Sequence, residues 1–550
     1  MQRMNAVTRM FVGLALVFWG GVAFAQQPPP NPPEAPAMSE PPRGAVPPTQ
    51  AAPPAATPVP AAAAPAPAKT GFEAWNQKSK QPFSWWKWGA DLRIRDEFID
   101  KSLTLASVAG NPPAPVPRYE QNWVRARARW WNVVTPTAGL DFTVRMTIES
   151  REWTEASYSS PFHRGWDWNE IVFDHFNLKI QPSKTLPLTF TIGRQDLMFG
   201  DNWLVFEGTP LDGSRTINFD AARMNFEIKE WKTSFDAVFI EQWARNDHWL
   251  PPIRVSGDTV NGVDLPIKKA QVEHNERGLV LYMTDKAKPT RQIDAYFIYR
   301  RARKEPIRVL KAADAGTNPL YEIVTDPADA DDANMKANLG RGENSDLYTV
   351  GARLAGDIGK GNVTKSLKYR VEAAFQTGTR NGLDHRGYGV NSALTYAPKS
   401  KLAHQFRFQY EFLSGDDPNT KDRDEGFDIL WGRWPRWSEL YIYSYAPEAR
   451  IAQLANFHRI GPGWTFKPFA KGELATDLYR LYADQPHAAG GLFSGTGKTR
   501  GTLLTSKLLM KLTPHLAAHL WFERFWPGSF YANDRQDAAT FIRPEVMFTW

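Results

Sequence analysis

NWVRARARWW, residues Asn122–Trp131, sets Arg125, Arg127 and Arg129 in strict alternation with Val124, Ala126, Ala128 and Trp130. Successive side chains of a strand point to opposite faces, so this stretch predicts a strand with one cationic and one apolar face. In a soluble sandwich the cations would face solvent. In a transmembrane barrel the apolar row faces lipid and the cations face a water-filled lumen. The rest of the chain decides between the two.

The N-terminus reads as an export signal. Arg3 and Arg9 precede an apolar run, Met10 to Ala23, and Ala23-Phe24-Ala25 forms a cleavage site before Gln26. Residues 26–70 are almost wholly Pro, Ala and small polar residues, which cannot bury a core. They predict a disordered spacer on the periplasmic side. From Phe72 onward aromatics are frequent, and every Trp but Trp19 lies there. The chain has no Cys, which excludes disulfides and thiolate sites. The formal charge of +7 becomes +5 once Arg3 and Arg9 leave with the signal, too mild a balance to imply nucleic acid.

Residues 71–550 predict an all-β transmembrane antiparallel barrel. Amphipathic stretches fall at 88–98, 121–133, 139–150, 170–181, 187–197, 218–228, 232–243, 276–284 and 291–302. They continue at 345–356, 366–377, 387–396, 403–413, 456–467, 470–483, 501–512, 516–526 and 540–550, eighteen strands in all. Short connections (Thr135–Ala138, Gln181–Leu186, Lys229–Trp231) alternate with long ones (151–169, 198–217, 244–275), as in outer-membrane barrels. An even strand number places both mature termini in the periplasm. Val546, Phe548 and Trp550 share one face of the last strand, and a terminal aromatic there is similar to the signal read by the barrel assembly machinery. Trp130, Trp131 and Trp526 fit an interfacial girdle against outer-membrane lipid.

Parity then assigns faces. Phe406, Phe408, Tyr410 and Phe412 oppose Gln405, Arg407, Gln409 and Glu411; Leu140, Phe142, Val144, Met146 and Ile148 oppose Asp141, Thr143, Arg145, Thr147 and Glu149. Charge is costly on the lipid face, so the polar sets face inward. The expected cationic lining is Arg93, Arg95, Arg125, Arg127, Arg129, Arg145, Arg223, Arg353, Arg370, Arg407, Lys368 and Lys507. Asp91, Glu97, Asp141, Glu149, Glu227, Glu372 and Glu411 share it. Two readings stay open. The arginines could brace the wall through cross-strand ion pairs, or they could offer bidentate, permanent cations to an anionic solute. Arg125, Arg127 and Arg129 have no acid on their own strand and are expected to be the least compensated row.

Three stretches resemble the alginate export family of outer-membrane porins. They are IGRQDLMFGDNW (Ile192–Trp203) followed by NFDAARMNF (Asn218–Phe226), then FLSGDDPNTKDRDEGFDILW (Phe412–Trp431), and RFWPGSFY (Arg524–Tyr531). With the strand pattern the resemblance covers roughly residues 85–550. It implies an eighteen-stranded monomeric barrel, passage of an anionic polysaccharide, and a pore role for Arg194. The spacer departs from the simplest family pattern and leaves room for periplasmic export partners. Arg194 has the parity of Leu188, Phe190 and Ile192, which would turn it toward lipid unless Gly193 permits a bulge or Arg194 sits at the rim.

No catalytic or cofactor signature stands out. Gly495-Thr496-Gly497-Lys498-Thr499 mimics a phosphate loop, but Leu492 occupies the position of the required Gly. The acidic run Asp416–Asp428 reads as an outer loop in preference to a cation site, as does Asp326–Asp332. No metal, cofactor or enzyme activity is expected. The leading expectation is a passive channel for an anionic polysaccharide or small anions. The alternative is a general or small-solute uptake porin with braced walls, and a barrel-embedded enzyme comes last.

Overall fold

A computed structural model describes residues 71–101, 121–156, 170–183, 186–206, 218–243, 250, 253–254, 258–260, 263–265, 275–302, 309–312, 321–324, 345–358, 367–380, 382–432, 437–441, 454–487, 489 and 493–550. The expected signal peptide and spacer, and the run Asp326–Asp332, lie outside the described residues. A continuous sheet of 20 strands forms, of which two are two-residue fragments, Ile253–Arg254 and Arg423–Asp424. The remaining eighteen build the barrel.

In chain order they are β1 (Trp86–Asp100), β2 (Gln121–Thr137), β3 (Leu140–Ala156), β4 (Glu170–Ile180), β5 (Leu188–Gln195), β6 (Phe219–Ile228), β7 (Thr233–Gln242), β8 (Glu276–Lys288) and β9 (Arg291–Ala302). The second half is β10 (Ser345–Asp357), β11 (Leu367–Arg380), β12 (Leu383–Tyr396), β13 (Gln405–Leu413), β14 (Phe457–Phe469), β15 (Gly472–Tyr482), β16 (Thr499–Lys511), β17 (Leu516–Pro527) and β18 (Ala539–Thr549). Each strand pairs antiparallel with the next, and β18 pairs with β1 to close the cylinder. Closure satisfies every edge, which a lipid-embedded sheet requires. The backbone N–H of Trp550 donates to the Ala90 carbonyl at 2.8 Å, so the last residue of the chain helps to seal the seam. All eighteen expected strands are present.

Face alternation follows the sequence. In β1, Asp91, Arg93, Arg95, Glu97 and Ile99 are buried while Leu92, Ile94 and Phe98 are not. In β13, Arg407, Gln409 and Glu411 are buried and Phe406 and Phe408 are exposed. Trp130 stays on the outer face, but Trp131 corrects the girdle expectation. Adjacent residues of a strand cannot share a face, and Trp131 turns inward, 7% exposed, over Gly89. A Cβ at Gly89 would strike its indole.

Two further features were not expected. Residues Gly71–Lys80 form a helix, α1, tied to the barrel where Trp88 Nε1 donates to the Ser79 carbonyl at 2.9 Å. The alternation of short and long connections also breaks once. Only residues 381–382 separate β11 from β12 at the long-loop end. The loop after β13 folds down over that gap. Arg423 and Asp424 pair parallel with Asp384 and His385, and Arg380 Nη1 donates to the Gly426 carbonyl at 3.2 Å.

The apolar core lies inside the cylinder. Segment 196–206, between β5 and β6, brings in Leu197, Phe199, Trp203, Leu204 and Val205. Segment 427–432, after β13, brings in Phe427, Ile429, Leu430 and Trp431. The two dock on each other: Trp203 stacks on Phe427 at 5.6 Å, and the Trp431 N–H donates to the Leu204 carbonyl at 3.0 Å. These inserts come from the first and second stretches quoted above for their family resemblance.

Candidate pore site

The inward cations meet carboxylates delivered by neighbouring strands. Arg125 pairs with Glu97 of β1 at 3.0 Å and Glu149 of β3 at 2.7 Å. Arg129 pairs with Asp91 at 2.6 Å, and Arg127 lies 3.8 Å from the same carboxylate. The expectation that these three form the least compensated row is therefore corrected. Alternation within one strand says nothing about the acids that register places beside it, and here both neighbours supply them.

The remaining expected cations divide similarly. Arg93 pairs with Glu149 at 3.3 Å and Arg95 with Glu97 at 3.0 Å. Arg145 reaches Asp174 at 2.8 Å, Arg223 reaches Asp236 at 2.7 Å and Arg407 reaches Asp477 at 3.0 Å. Lys507 stands 4.2 Å from the Trp521 ring centre, a cation–π distance. Arg194 keeps the register of the outer parity, with Phe176 and Asp220 as its Cα partners. Gly193 has φ +114 without shifting that register. The Arg194 guanidinium holds Asp220 with two prongs at 2.8 and 3.0 Å, donates to the Phe173 carbonyl at 2.9 Å, and is 3% exposed.

One part of this network departs from simple bracing. Arg93 and Arg127 are Cα partners on the inner face, as are Arg95 and Arg125. Like charges directly opposite one another on a sheet are destabilising. A wall built only for strength would set Arg against Glu at those rungs. Arg543 of β18 joins the group through Glu97 at 3.4 Å and Glu439 at 3.5 Å.

A second group gathers around the inserted segments. The turn at Gly200–Asn202 carries Asp201 between two arginines of the wall. Arg353 of β10 meets it with two prongs, 2.9 Å each, and Arg370 of β11 adds a third bond at 2.9 Å. Burial pushes the Asp201 carboxyl up, but Arg370 and Arg353 outweigh this and hold it below the usual carboxylate range. Beside it, Tyr296 Oη donates to Glu372 at 3.0 Å. Trp203 Nε1 donates to Glu411 and Trp431 Nε1 to Glu276, at 3.0 and 2.8 Å, so both indoles fasten the inserts to the wall. Arg300 joins Glu276 at 2.6 Å to Asp428 of the insert at 3.1 Å. A third attachment uses Glu523 of β17, which accepts the backbone N–H groups of Glu439 and Leu440 at 2.8 and 3.1 Å and the Ser438 hydroxyl.

Asp201, Asp428, Glu439 and Glu523 were not among the expected site residues. Asp201 and Asp428 do sit inside the quoted GDNW and FDILW stretches, which is the signal that could have found them. Several acids of Asp416–Asp428 are engaged by backbone N–H groups. Asp416 accepts from Glu425 at 3.1 Å, Asp417 from Asn419 at 2.9 Å and Asp428 from Leu430 at 2.6 Å.

A family model described as alginate export matches residues 120–543. The chain belongs to the alginate export family. The alginate export barrel is accordingly an outer-membrane protein, and the coarse function is that of an outer-membrane channel. Among solved structures, Acinetobacter baumannii OccAB1 is 10% identical, with 84% of this chain and 96% of that chain covered and a TM-score of 0.49. Pseudomonas aeruginosa OccK5 (OpdH) is 11% identical, with 84% and 97% covered and a TM-score of 0.46. Pseudomonas aeruginosa OccK11 (OpdR) is 10% identical, with 84% and 95% covered and a TM-score of 0.45. No match is found among curated proteins.

Proposed function

We propose that this alginate export barrel passes an anionic polysaccharide of the alginate type, or a smaller anionic solute, along an arginine-lined lumen without chemistry. The observation that carries the reading is the pair of Arg–Arg rungs, Arg93–Arg127 and Arg95–Arg125. Glu97, Glu149 and Asp91 offset part of the charge concentrated there, and a passing carboxylate would offset more. Guanidinium groups offer uronates planar two-pronged contacts, and several weak contacts in series let a polymer leave as readily as it enters. Arg129, Arg145, Arg223, Arg353, Arg370, Arg407 and Lys507 extend the cationic lining in this reading. The barrel acts as a monomer in outer-membrane lipid, its last strand engages the assembly machinery, and the spacer meets export partners in the periplasm.

A second reading has its own support. Arg125 is held between Glu97 and Glu149, as a braced wall of a small-solute uptake porin would require. Planar-bilayer recording separates the two. The export reading expects an anion-selective reversal potential, block by polyuronate, and loss of both when Arg93 and Arg127 are replaced by Glu. A cation-selective pore indifferent to polyuronate overturns it.

A further inference from the structure

We propose that three adjoining periplasmic turns, those joining β12 to β13, β14 to β15 and β16 to β17, bind the headgroup of an anionic phospholipid of the inner leaflet. The inference is independent of what the pore carries.

Stretches 397–405, 466–473 and 511–516 hold Lys399, Lys401, Lys467, Lys471 and Lys511 against one acid, Glu473. All five lysines are exposed. The turns form one surface because their backbones are bonded together. The Lys467 N–H donates to the Leu402 carbonyl at 2.7 Å, and the Lys511 N–H to the Lys471 carbonyl at 2.8 Å. The last strand ends there too, its Thr549 N–H donating to the His515 carbonyl at 2.8 Å. Lys471 Nζ also donates to the Leu512 carbonyl at 2.5 Å, which holds its charge at the rim. The opposite end of the barrel differs. There Lys101 is paired with Asp537 at 2.7 Å, and the loop after β13 is rich in acids.

An apolar patch adjoins the lysines on the outer face. Phe406 and Trp464 are Cα partners, both exposed, and Trp464 stacks on Phe466 at 4.3 Å. The Trp464 indole N–H donates to His404 Nδ1 at 3.2 Å, which fixes the ring. Phe469, 47% exposed, lies over Gly472, where a Cβ would strike its ring. Leu402 and Leu512 are exposed on the flanking turns. Aromatic rings at the end of a transmembrane wall favour the boundary between acyl chains and headgroups. Lysines just beyond that boundary meet phosphate, and their ammonium groups are drawn to an anionic leaflet. A soluble polyanion would satisfy the lysines but leave the rings and leucines uncovered. A phospholipid covers both, and that joint fit selects it.

Native mass spectrometry of the full-length protein in a neutral detergent tests this, with phosphatidylglycerol and phosphatidylcholine of the same acyl chains as probes. Phosphatidylglycerol is expected to bind about fivefold more tightly, the factor that one lysine contributes at an anionic surface. Lys399→Gln, Lys401→Gln, Lys467→Gln and Lys511→Gln together are expected to bring the two lipids to parity. Lys421→Gln with Lys498→Gln, at the outer end, should leave the preference intact. Heat-modifiable gel mobility checks that each variant is folded, and Lys399→Gln with Lys401→Gln carries the comparison if the fourfold variant is not. Equal binding of the two lipids by the parent overturns the proposal, as does a preference that survives the lysine replacements. Loss of oligouronate binding in the same variant, with the lipid preference unchanged, would assign the lysines to a soluble polyanion and overturn it as well.

Discussion

Arg194 and Asp220 are Cα partners on adjacent strands and share a two-pronged ion pair, with Nε–Oδ1 at 2.8 Å and Nη2–Oδ2 at 3.0 Å. This pair joins the GRQ and NFD stretches of the family resemblance. Its partners and its register make it a fastener of the β5–β6 wall. Removing one member leaves a charge with little access to water. Asp220→Asn is expected to lower barrel stability by about 3 kcal/mol, at the low end for buried pairs because Asp220 is 16% exposed. Urea unfolding in lipid measures this, and ion selectivity is expected to stay unchanged.

The Arg–Arg rungs should respond in the opposite way. Arg127→Gln relieves the repulsion from Arg93 directly across the sheet. Stability is expected to change by less than about 1 kcal/mol, the scale of a single cross-strand pair. Polyuronate block of the channel should weaken several-fold. A large loss of stability with unchanged block would favour bracing.

Glu523 holds the start of segment 438–441 through two backbone N–H groups and a hydroxyl. Glu523→Gln puts an NH2 where one acceptor oxygen stood. The unmatched donors should cost about 1–3 kcal/mol of local stability. Faster amide exchange at Glu439 and Leu440 is the direct readout, with larger single-channel conductance as its consequence.

The loop after β13 should depend on pH. Burial, followed by the neighbouring carboxylates of Asp424 and Glu425, raises the Asp416 carboxyl from its ordinary 3.8 to about 6. Its proton is thus bound more tightly in the closed loop than in an open one. Loop stability is full below about pH 4 and falls as pH rises to about 6. Limited proteolysis of the loop across that window should show the rise in cleavage, and Asp416→Asn should flatten it.

The clamped turn should show the reverse dependence. Asp201 has a depressed carboxyl when held by Arg370 and Arg353. That anchoring is present above pH 4 and is lost as pH falls below the ordinary carboxylate range. Amide exchange at Asn202 should accelerate in acid, and Asp201→Asn should remove the dependence.

Much of this was legible in the residues. Arg93 and Arg95 alternate with Leu92 and Ile94, and that local period fixes both the strand and the face it presents. Trp131 misled because it directly follows Trp130, and adjacent residues inside a strand take opposite faces. The inserts were harder to read. GDNW carries an ordinary turn signal, and nothing in it says that the turn projects inward to Arg353, 152 positions away in sequence.

The sequence by itself determined the wall: eighteen amphipathic strands, their order, their two faces and the closure through the last strand. Those features depend on alternation and connection length, which are local. The tertiary structure alone decided which carboxylate meets each arginine and what fills the lumen. Register sets Arg93 opposite Arg127 and brings Glu97 and Glu149 to Arg125, and loop docking sets Asp201 between Arg353 and Arg370. Both are relations between residues far apart in the chain, fixed only once the cylinder has closed around its own loops.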